Sequence, residues 1–445
     1  MNNVTIIGGG LAGSEAALTL ASLGVKVRLF EMRPRKSTPA HRTDKLAELV
    51  CSNSLGSIKV TKPKGLLLWE SLMLGAILPR LALKYRVLAG NALAVDRKRF
   101  ASAVTELIEN HPLIEVIHEE VVEFDINDYT IVAAGPLISE GLANYLLKLL
   151  GSDFLYFYDA ISPTIVADTI DMEYAFWANR YDTSSMNQGD YLNIPLTEEE
   201  YYRFVDDILN ARRHIPHDFE DLDKFFERCL PIEEIARRGV LSLAYGPMRP
   251  VGLIDPRTGE RPFAVIQLRK ENKEGTLLNM VGFQTGISHK DQLRIFRKIP
   301  ALRHAEFARF GQIHRNTFVN APWVMGRSMS LKCCPKVYIA GQLLGTEGYL
   351  EAIMGGAWVA LDVFLKMRGK SLPEPPLFSM WGGIQRYLHD TTIENFQPIG
   401  SNFGLLPLPD VKMRKKDRRI WQVKKAVVSW LEYIEKIKHL LEEVR

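Results

Sequence analysis

An α/β fold is predicted, with a Rossmann-type nucleotide-binding domain interrupted by a mixed α+β domain, and three observations predict it. The first thirty residues read strand, glycine turn, helix, strand. A second strand running into a glycine turn comes late, at Val337–Ala340 and Gly341. Between them, residues 160–324 are rich in aromatics, carry several Pro/Gly turns and lose the βαβ rhythm.

The first observation holds in detail. Val4–Ile7 is a short apolar run of strand length. Gly8-Gly9-Gly10-Leu11-Ala12-Gly13 follows, then small residues of helical character from Ser14 to Leu23. Gly24 stops that helix, and Val25–Glu31 alternates as a second strand. Residues 32–64 look irregular, with Pro34, Pro39 and Pro63. One helix is expected over Gly65–Lys84 and another over Arg97–Glu109, with Asp96 as its N-cap. Short strands are expected at Ile114–His118, Val121–Phe124 and Tyr129–Ala133, and a long helix over Leu350–Met367. The division read from these patterns is 1–160 and 325–410 for the nucleotide-binding domain, 161–324 for the insert and 411–445 for a helical tail. In that tail Trp421, Val428, Leu431, Ile434 and Ile437 are available to dock.

At 445 residues the chain exceeds one hydrophobic core, so two packed domains are expected. No apolar run has membrane-spanning length and no leader pattern precedes Val4, so a cytoplasmic protein without membrane contact is expected. Cys51, Cys229, Cys333 and Cys334 match neither a disulfide scaffold nor a zinc-ligand spacing, and no metal is expected. The net charge of +4 conceals an asymmetry: residues 411–445 hold 11 Lys/Arg against 5 Asp/Glu. Arg414, Lys415, Lys416, Arg418 and Arg419 open that tail. Such a cluster either attracts a polyanion, RNA above all, or simply solubilises the tail.

Gly8, Gly10 and Gly13 fit G-x-G-x-x-G between a strand and a helix, the context the motif needs. The glycines make the turn, admit a pyrophosphate to the backbone and let helix and strand close up, while the helix N-terminus faces the phosphates. Gly9, Leu11 and Ala12 complete the turn, and Glu31 ends the second strand where a carboxylate accepts ribose hydroxyls. Two further segments favour FAD over NAD. Thr130–Gly135 resembles the strand-end glycine motif of two-dinucleotide flavoproteins. Ala340-Gly341-Gln342, with Gly345 and Gly348 ahead of the next helix, has the shape of their flavin-side segment. The fold class is therefore a glutathione-reductase-like FAD-binding domain with an inserted α+β domain. No second G-x-G-x-x-G opens a separate NAD(P)H domain.

Two cysteines invite nucleophilic chemistry. Cys51 lies in Glu48-Leu49-Val50-Cys51-Ser52-Asn53-Ser54. Cys229 lies in Cys229-Leu230-Pro231-Ile232-Glu233, with Arg237 and Arg238 close behind, and neighbouring arginines stabilise a thiolate. Either cysteine taken alone could equally be a buried apolar residue.

These segments join others in order along the chain: Glu31-Met32-Arg33-Pro34, Thr38-Pro39-Ala40-His41, Ala94-Val95-Asp96-Arg97, Tyr156–Ala160, Gly246–Leu253, Val281–Thr285, His314–Phe318, Glu347-Gly348-Tyr349 and Asn402–Pro407. Over residues 4–407 the chain resembles the folate- and FAD-dependent tRNA (uracil-5-)-methyltransferases of bacteria. The resemblance implies a thiolate that adds to uracil C6 and makes C5 nucleophilic. It also implies a one-carbon unit from methylenetetrahydrofolate carried at flavin N5, and NAD(P)H as reductant. On it Cys229 matches the uracil nucleophile, Cys51 a second thiol near the flavin, and Tyr349 an aromatic beside the isoalloxazine. The chain departs from the family pattern at Gly56 and its neighbours, Leu344, Ile353 and Met354. Alternatives are a paralogue acting on ribosomal RNA uridine, a wobble-uridine flavoenzyme, for whose extra C-terminal region the chain is too short, and a flavin-containing RNA-binding protein without methyl transfer. A flavin disulfide reductase would want a C-x-x-C, which is missing.

Overall fold

The computed structural model describes residues 3–38, 40–151, 155–180, 189–213, 230–326, 328–393 and 396–444. The chain opens with β1 (Val4–Ile7), α1 (Leu11–Ser22) and β2 (Val27–Phe30). Then come β3 (Ser54–Ser57), α2 (Pro63–Leu74), α3 (Leu78–Lys84), β4 (Arg86–Val87), β5 (Ala92–Val95), α4 (Arg97–Glu109), β6 (Ile114–Ile117), β7 (Thr130–Val132) and α5 (Glu140–Leu150). The single helix expected over Gly65–Lys84 is two, because Gly75 takes φ +99° and its amide closes on Leu72, which ends α2. Asp96 caps α4 as expected, accepting from the Arg99 amide at 3.0 Å. Val121–Phe124 forms no strand, and among the described residues β6 is the edge of its sheet.

The insert is built on antiparallel strands. β8 (Leu155–Ile161) leads into it, followed by β9 (Thr164–Val166), β10 (Phe176–Ala178), β11 (Tyr191–Leu196) and α6 (Glu198–Leu209). After these come α7 (Ile232–Arg237), α8 (Ser242–Tyr245), β12 (Ala264–Lys270), β13 (Leu277–Met280), α9 (His289–Phe296) and β14 (Phe307–Arg309). Its six-stranded sheet has the order β10-β11-β12-β13-β9-β14 and its own core, with Tyr201, Phe204, Phe283 and Phe296 under the helices. β15 (Gln312–Phe318) leaves the insert and pairs antiparallel with β8, so entry and exit form one ribbon.

The last part contains α10 (Ala321–Val324), β16 (Val337–Ile339), α11 (Tyr349–Lys366), α12 (Met380–Leu388) and α13 (Lys415–Glu443). β16 joins β7, completing a parallel sheet of order β16-β7-β1-β2-β6, the doubly wound arrangement whose strand ends make a nucleotide crevice. α1 and α11 cover one face in close contact: a Cβ on Gly356 would lie 2.2 Å from the Ala12 carbonyl oxygen. α13 docks through Gln422, Ala426, Trp430, Tyr433, Ile434 and Ile437, and the Trp430 indole donates to the Glu70 carbonyl at 3.0 Å. Val428 and Leu431, expected to dock, are exposed, since they fall on the opposite side of the helix from that stripe. Among the described residues no single helix is long and apolar enough to cross a membrane.

Candidate active site

The strand ends of the parallel sheet open into a long cleft. Gly8, Gly10, Leu11 and Ala12 line it from the first turn, Glu31 from the end of β2, Gly135 from beyond β7, and Gly341, Gln342, Gly348 and Tyr349 from the segment between β16 and α11. The sequence-predicted cofactor residues therefore meet in one place. Gly9 and Gly13 stand just behind the wall and shape it: a Cβ on Gly13 would lie 1.9 Å from the Gly8 carbonyl oxygen, which only a glycine avoids. A Cβ on Gly10 would meet no protein atom within 4 Å, because beside it is cleft. α1 starts there without a side-chain cap, so its first amides are left for an anion. A dinucleotide pyrophosphate fits that cradle.

Glu31 is more constrained than its place in the motif implies. Its Oε2 accepts from the Gly9 amide (3.0 Å) and from Arg33 Nη2 (3.1 Å), and its Oε1 from the Arg33 amide and Nε. Burial opposes its charge, but the Arg33 guanidinium outweighs burial and holds the carboxyl below the usual range. Arg33 is itself buried and reaches Glu48 at 3.2 Å. His41, also in the cleft wall, is pushed down to about 4 by burial and by Arg33, so it is neutral at physiological pH.

At the Tyr349 end the cleft continues into a second cavity bounded by Cys51, Ser52, Leu55, Lys64, Asn316, Gln342 and Tyr349. Here the Tyr349 hydroxyl accepts from the Cys51 amide at 2.9 Å and the Ser52 amide at 3.2 Å, and lies 3.1 Å from Cys51 Sγ. With both oxygen lone pairs facing amides, the hydroxyl is left to donate its own proton toward the sulfur. Burial, and then the neighbouring Cys51, raise the Tyr349 hydroxyl well above its usual value, so it stays a donor.

The surroundings are cationic. Arg97, Arg269 and Arg309 all interact electrostatically with Cys51. Arg97, the first residue of α4, donates to the Leu49 carbonyl at 3.0 Å and to Glu271 at 3.0 Å. Arg309 meets no carboxylate among the described residues; burial, and Arg97 beside it, lower it to about 10. Lys64 bonds both oxygens of the fully buried Glu351 at 2.5 Å, and Ser401 completes that carboxylate through its amide (2.8 Å) and hydroxyl (2.6 Å). Sequence reasoning assigned no role to Arg33, His41, Lys64, Arg97, Arg269 or Arg309; their only signal was that Arg33, His41 and Arg97 fall in segments shared with a family.

Cys229 lies outside the described residues, so its distance from Cys51 is not part of this geometry. At the start of α13, Arg414, Lys415, Lys416 and Arg419 are exposed and Arg418 is half-buried, a solvent-facing basic row away from the cleft lining. Among the described residues no group of three or more His, Cys, Asp or Glu side chains is arranged to hold a metal ion.

A family model for glucose inhibited division protein A matches residues 3–371. The methylenetetrahydrofolate–tRNA-(uracil-5-)-methyltransferase TrmFO of Carboxydothermus hydrogenoformans is 50% identical over 420 residues, covering 94% of this chain and 95% of that protein. The protein of the same name from Coprothermobacter proteolyticus is 50% identical over 431 residues, covering 97% and 98%, and that from Thermus thermophilus 49% identical over 419, covering 94% and 93%. Among solved structures, Aquifex aeolicus GidA in its form I crystal superimposes with a TM-score of 0.69 at 18% identity, over 99% of this chain and 78% of that one, a likeness of fold.

Proposed function

The chain belongs to the glucose inhibited division protein A family and within it to the TrmFO methyltransferases, and from that premise we propose that it makes 5-methyluridine in tRNA at a T-loop uridine. Methylenetetrahydrofolate is the carbon donor, NAD(P)H the reductant and FAD the bound cofactor, and the protein works in the cytoplasm. The observation that carries this reading is the Tyr349–Cys51 pair at the end of a cleft whose other end is a pyrophosphate cradle.

The residues divide the labour as follows. The first turn of α1, with Gly8 to Gly13, holds the cofactor's phosphates; Glu31, through the Gly9 amide, keeps that turn in shape beside the ribose. Gly135, Gly341, Gln342 and Gly348 bring the backbone close to the flavin end. When bound, FAD supplies hydride and carries the one-carbon unit between folate and pyrimidine. The Cys229 thiolate adds to uracil C6, which places carbanion character on C5. Cys51 Sγ, beside the Tyr349 hydroxyl and the arginines around it, is the base that takes the proton C5 must lose. The exposed row at Arg414, Lys415, Lys416, Arg418 and Arg419 draws RNA phosphates.

The test is direct. Purified yellow protein is incubated with labelled methylenetetrahydrofolate, NAD(P)H and either unmodified tRNA or ribosomal RNA, and the label is followed into RNA. Label in tRNA as 5-methyluridine is expected. Label in ribosomal RNA alone would replace the substrate, and a Cys229→Ala protein with full activity would remove the nucleophile.

A further inference from the structure

Ser54, Gly56 and Lys64 line the Cys51–Tyr349 cavity and also line a second, wider groove that continues outward. That groove is lined by Ser57, Lys59, Lys62, Asn91, Asn179, Arg180 and Tyr191. Among the described residues no carboxylate lines it, although the chain as a whole is nearly charge-balanced. Lys64 is committed to Glu351, and Arg180 donates to the Pro247 carbonyl at 2.8 Å. Lys59 and Lys62 are different: both are exposed, and neither meets a carboxylate among the described residues. They stand three positions apart on the loop that ends at Pro63, which starts α2 and fixes where that loop stops.

We propose that this groove binds the poly-γ-glutamate tail of the folate substrate, with Lys59 and Lys62 as the cations that meet its carboxylates. The inference rests on the folate-dependent reading above. The one-carbon end of the donor has to reach the cleft by Tyr349, so its p-aminobenzoyl-glutamate end points along the shared lining at Ser54, Gly56 and Lys64 and emerges in the groove. Each added γ-linked glutamate brings one α-carboxylate on a flexible chain, and such a chain adapts to two lysines set on a single loop. The polar side chains of Ser57, Asn91 and Asn179 can satisfy its amides. Exposed ion pairs of this kind contribute modestly, so the two lysines together should be worth an affinity factor of about two- to thirtyfold.

The experiment compares the flavin-loaded wild type with a Lys59→Ala/Lys62→Ala variant by calorimetry. Each is titrated with tetrahydrofolate monoglutamate and with the pentaglutamate, and RNA affinity is measured at several salt concentrations. The expected result is tighter binding of the pentaglutamate by the wild type and loss of that advantage in the variant, with monoglutamate and RNA affinities unchanged. A wild type that binds both folates equally, or a variant that keeps the full advantage, overturns the proposal. So does a variant whose RNA affinity drops and loses salt dependence while its folate preference stays, because the groove would then belong to RNA. If the wild type binds neither folate, the functional reading fails together with the groove, a result distinguishable from failure of the groove alone by the missing monoglutamate affinity.

Discussion

Gly10 and Gly13 belong to one motif, yet the structure gives alanine at the two positions opposite consequences. At Gly13 a Cβ would sit 1.9 Å from the Gly8 carbonyl oxygen, 1.5 Å inside the 3.4 Å at which ordinary contact begins. The obstacle is backbone, so α1 must move away from β1. Overpacking of this kind costs roughly 1–3 kcal/mol, and here the upper end applies; alanine's better helix propensity returns about 1 kcal/mol. A net loss of about 2 kcal/mol lowers the melting temperature by roughly 4–8 °C. At Gly10 the backbone has φ −72° and ψ −169°, open to any residue, and the new methyl meets nothing. The apoprotein should melt within about 1 °C of wild type. The methyl instead enters the space given to the pyrophosphate and costs one or two charge-assisted hydrogen bonds, about 3 kcal/mol, or about a hundredfold in FAD affinity. Flavin-stripped proteins are melted, then titrated with FAD by fluorescence quenching. Wild-type FAD affinity in Gly10→Ala, or the same melting loss in both variants, would refute the placement of the phosphates at the start of α1.

Three further outcomes are expected. Tyr349→Phe removes the hydrogen-bond partner of Cys51 Sγ and the acceptor of two amides, so Cys51 should react more slowly with iodoacetamide at neutral pH; site-resolved labelling reads this, and an unchanged rate rejects the hydrogen bond's role. Lys64→Met strands the buried Glu351 carboxylate with Ser401 alone. The cost should be about 2–3 kcal/mol, below the usual range for a buried pair because Lys64 keeps 24% of its side chain exposed. Adding Glu351→Gln should recover part of that loss in urea unfolding, and no recovery would count against the pairing. The third outcome concerns pH. Burial raises Glu70 from 4.5 to about 8 and Glu15 to about 7, against the backbone amides that each accepts from. The folded state then holds more protons than the unfolded state above pH 4.5, so this stabilisation is complete below that value and disappears as pH climbs through 7 and 8. Between pH 5.5 and 8.5 the wild type should lose stability relative to Glu70→Gln, and a constant difference between them would contradict a protonated Glu70.

How much of this was legible in the sequence depends on the range of the interaction concerned. The βαβ unit was legible because glycine spacing, helix start and strand alternation all lie within thirty residues and agree with one another. The break between α2 and α3 was not, because Leu66 to Leu74 and Leu78 to Leu81 read as one apolar run, and a lone Gly75 inside it can either be tolerated or terminate. α13 shows a related ambiguity: its sequence supplies two apolar stripes, and only the surface beneath decides that Trp430 and Ile434 turn inward while Val428 and Leu431 stay in solvent. The Cys51–Tyr349 contact spans 298 positions, beyond any local pattern, and a family resemblance alone brought those two residues together beforehand. The cationic setting draws Arg97, Arg269 and Arg309 from three separate elements, so no spacing could announce it.

The placement of Cys51 is not decided by the nucleotide-binding domain alone. Asn53, two residues on, is fully buried; its Nδ2 donates to the Val95 carbonyl (3.0 Å) and the Lys270 carbonyl (2.8 Å), and its Oδ1 accepts from Arg269 Nε at 2.9 Å. Val95 belongs to β5, whereas Lys270 and Arg269 end β12 of the insert. Arg97 repeats the pattern one step upstream, tying the Leu49 carbonyl to Glu271, and Asp96 accepts from the Lys273 amide at 3.1 Å. The loop carrying the thiol is thus clamped between α4 and the β12 end through hydrogen bonds of the buried Asn53, Asp96, Arg269 and Glu271 and the half-buried Arg97, which makes sliding of one domain on the other costly. The same insert carries Cys229 in its chain. In the proposed reaction, in which Cys51 and Cys229 act on one pyrimidine, the Asn53–Arg269 and Arg97–Glu271 bonds hold the Cys51 side rigid against the insert.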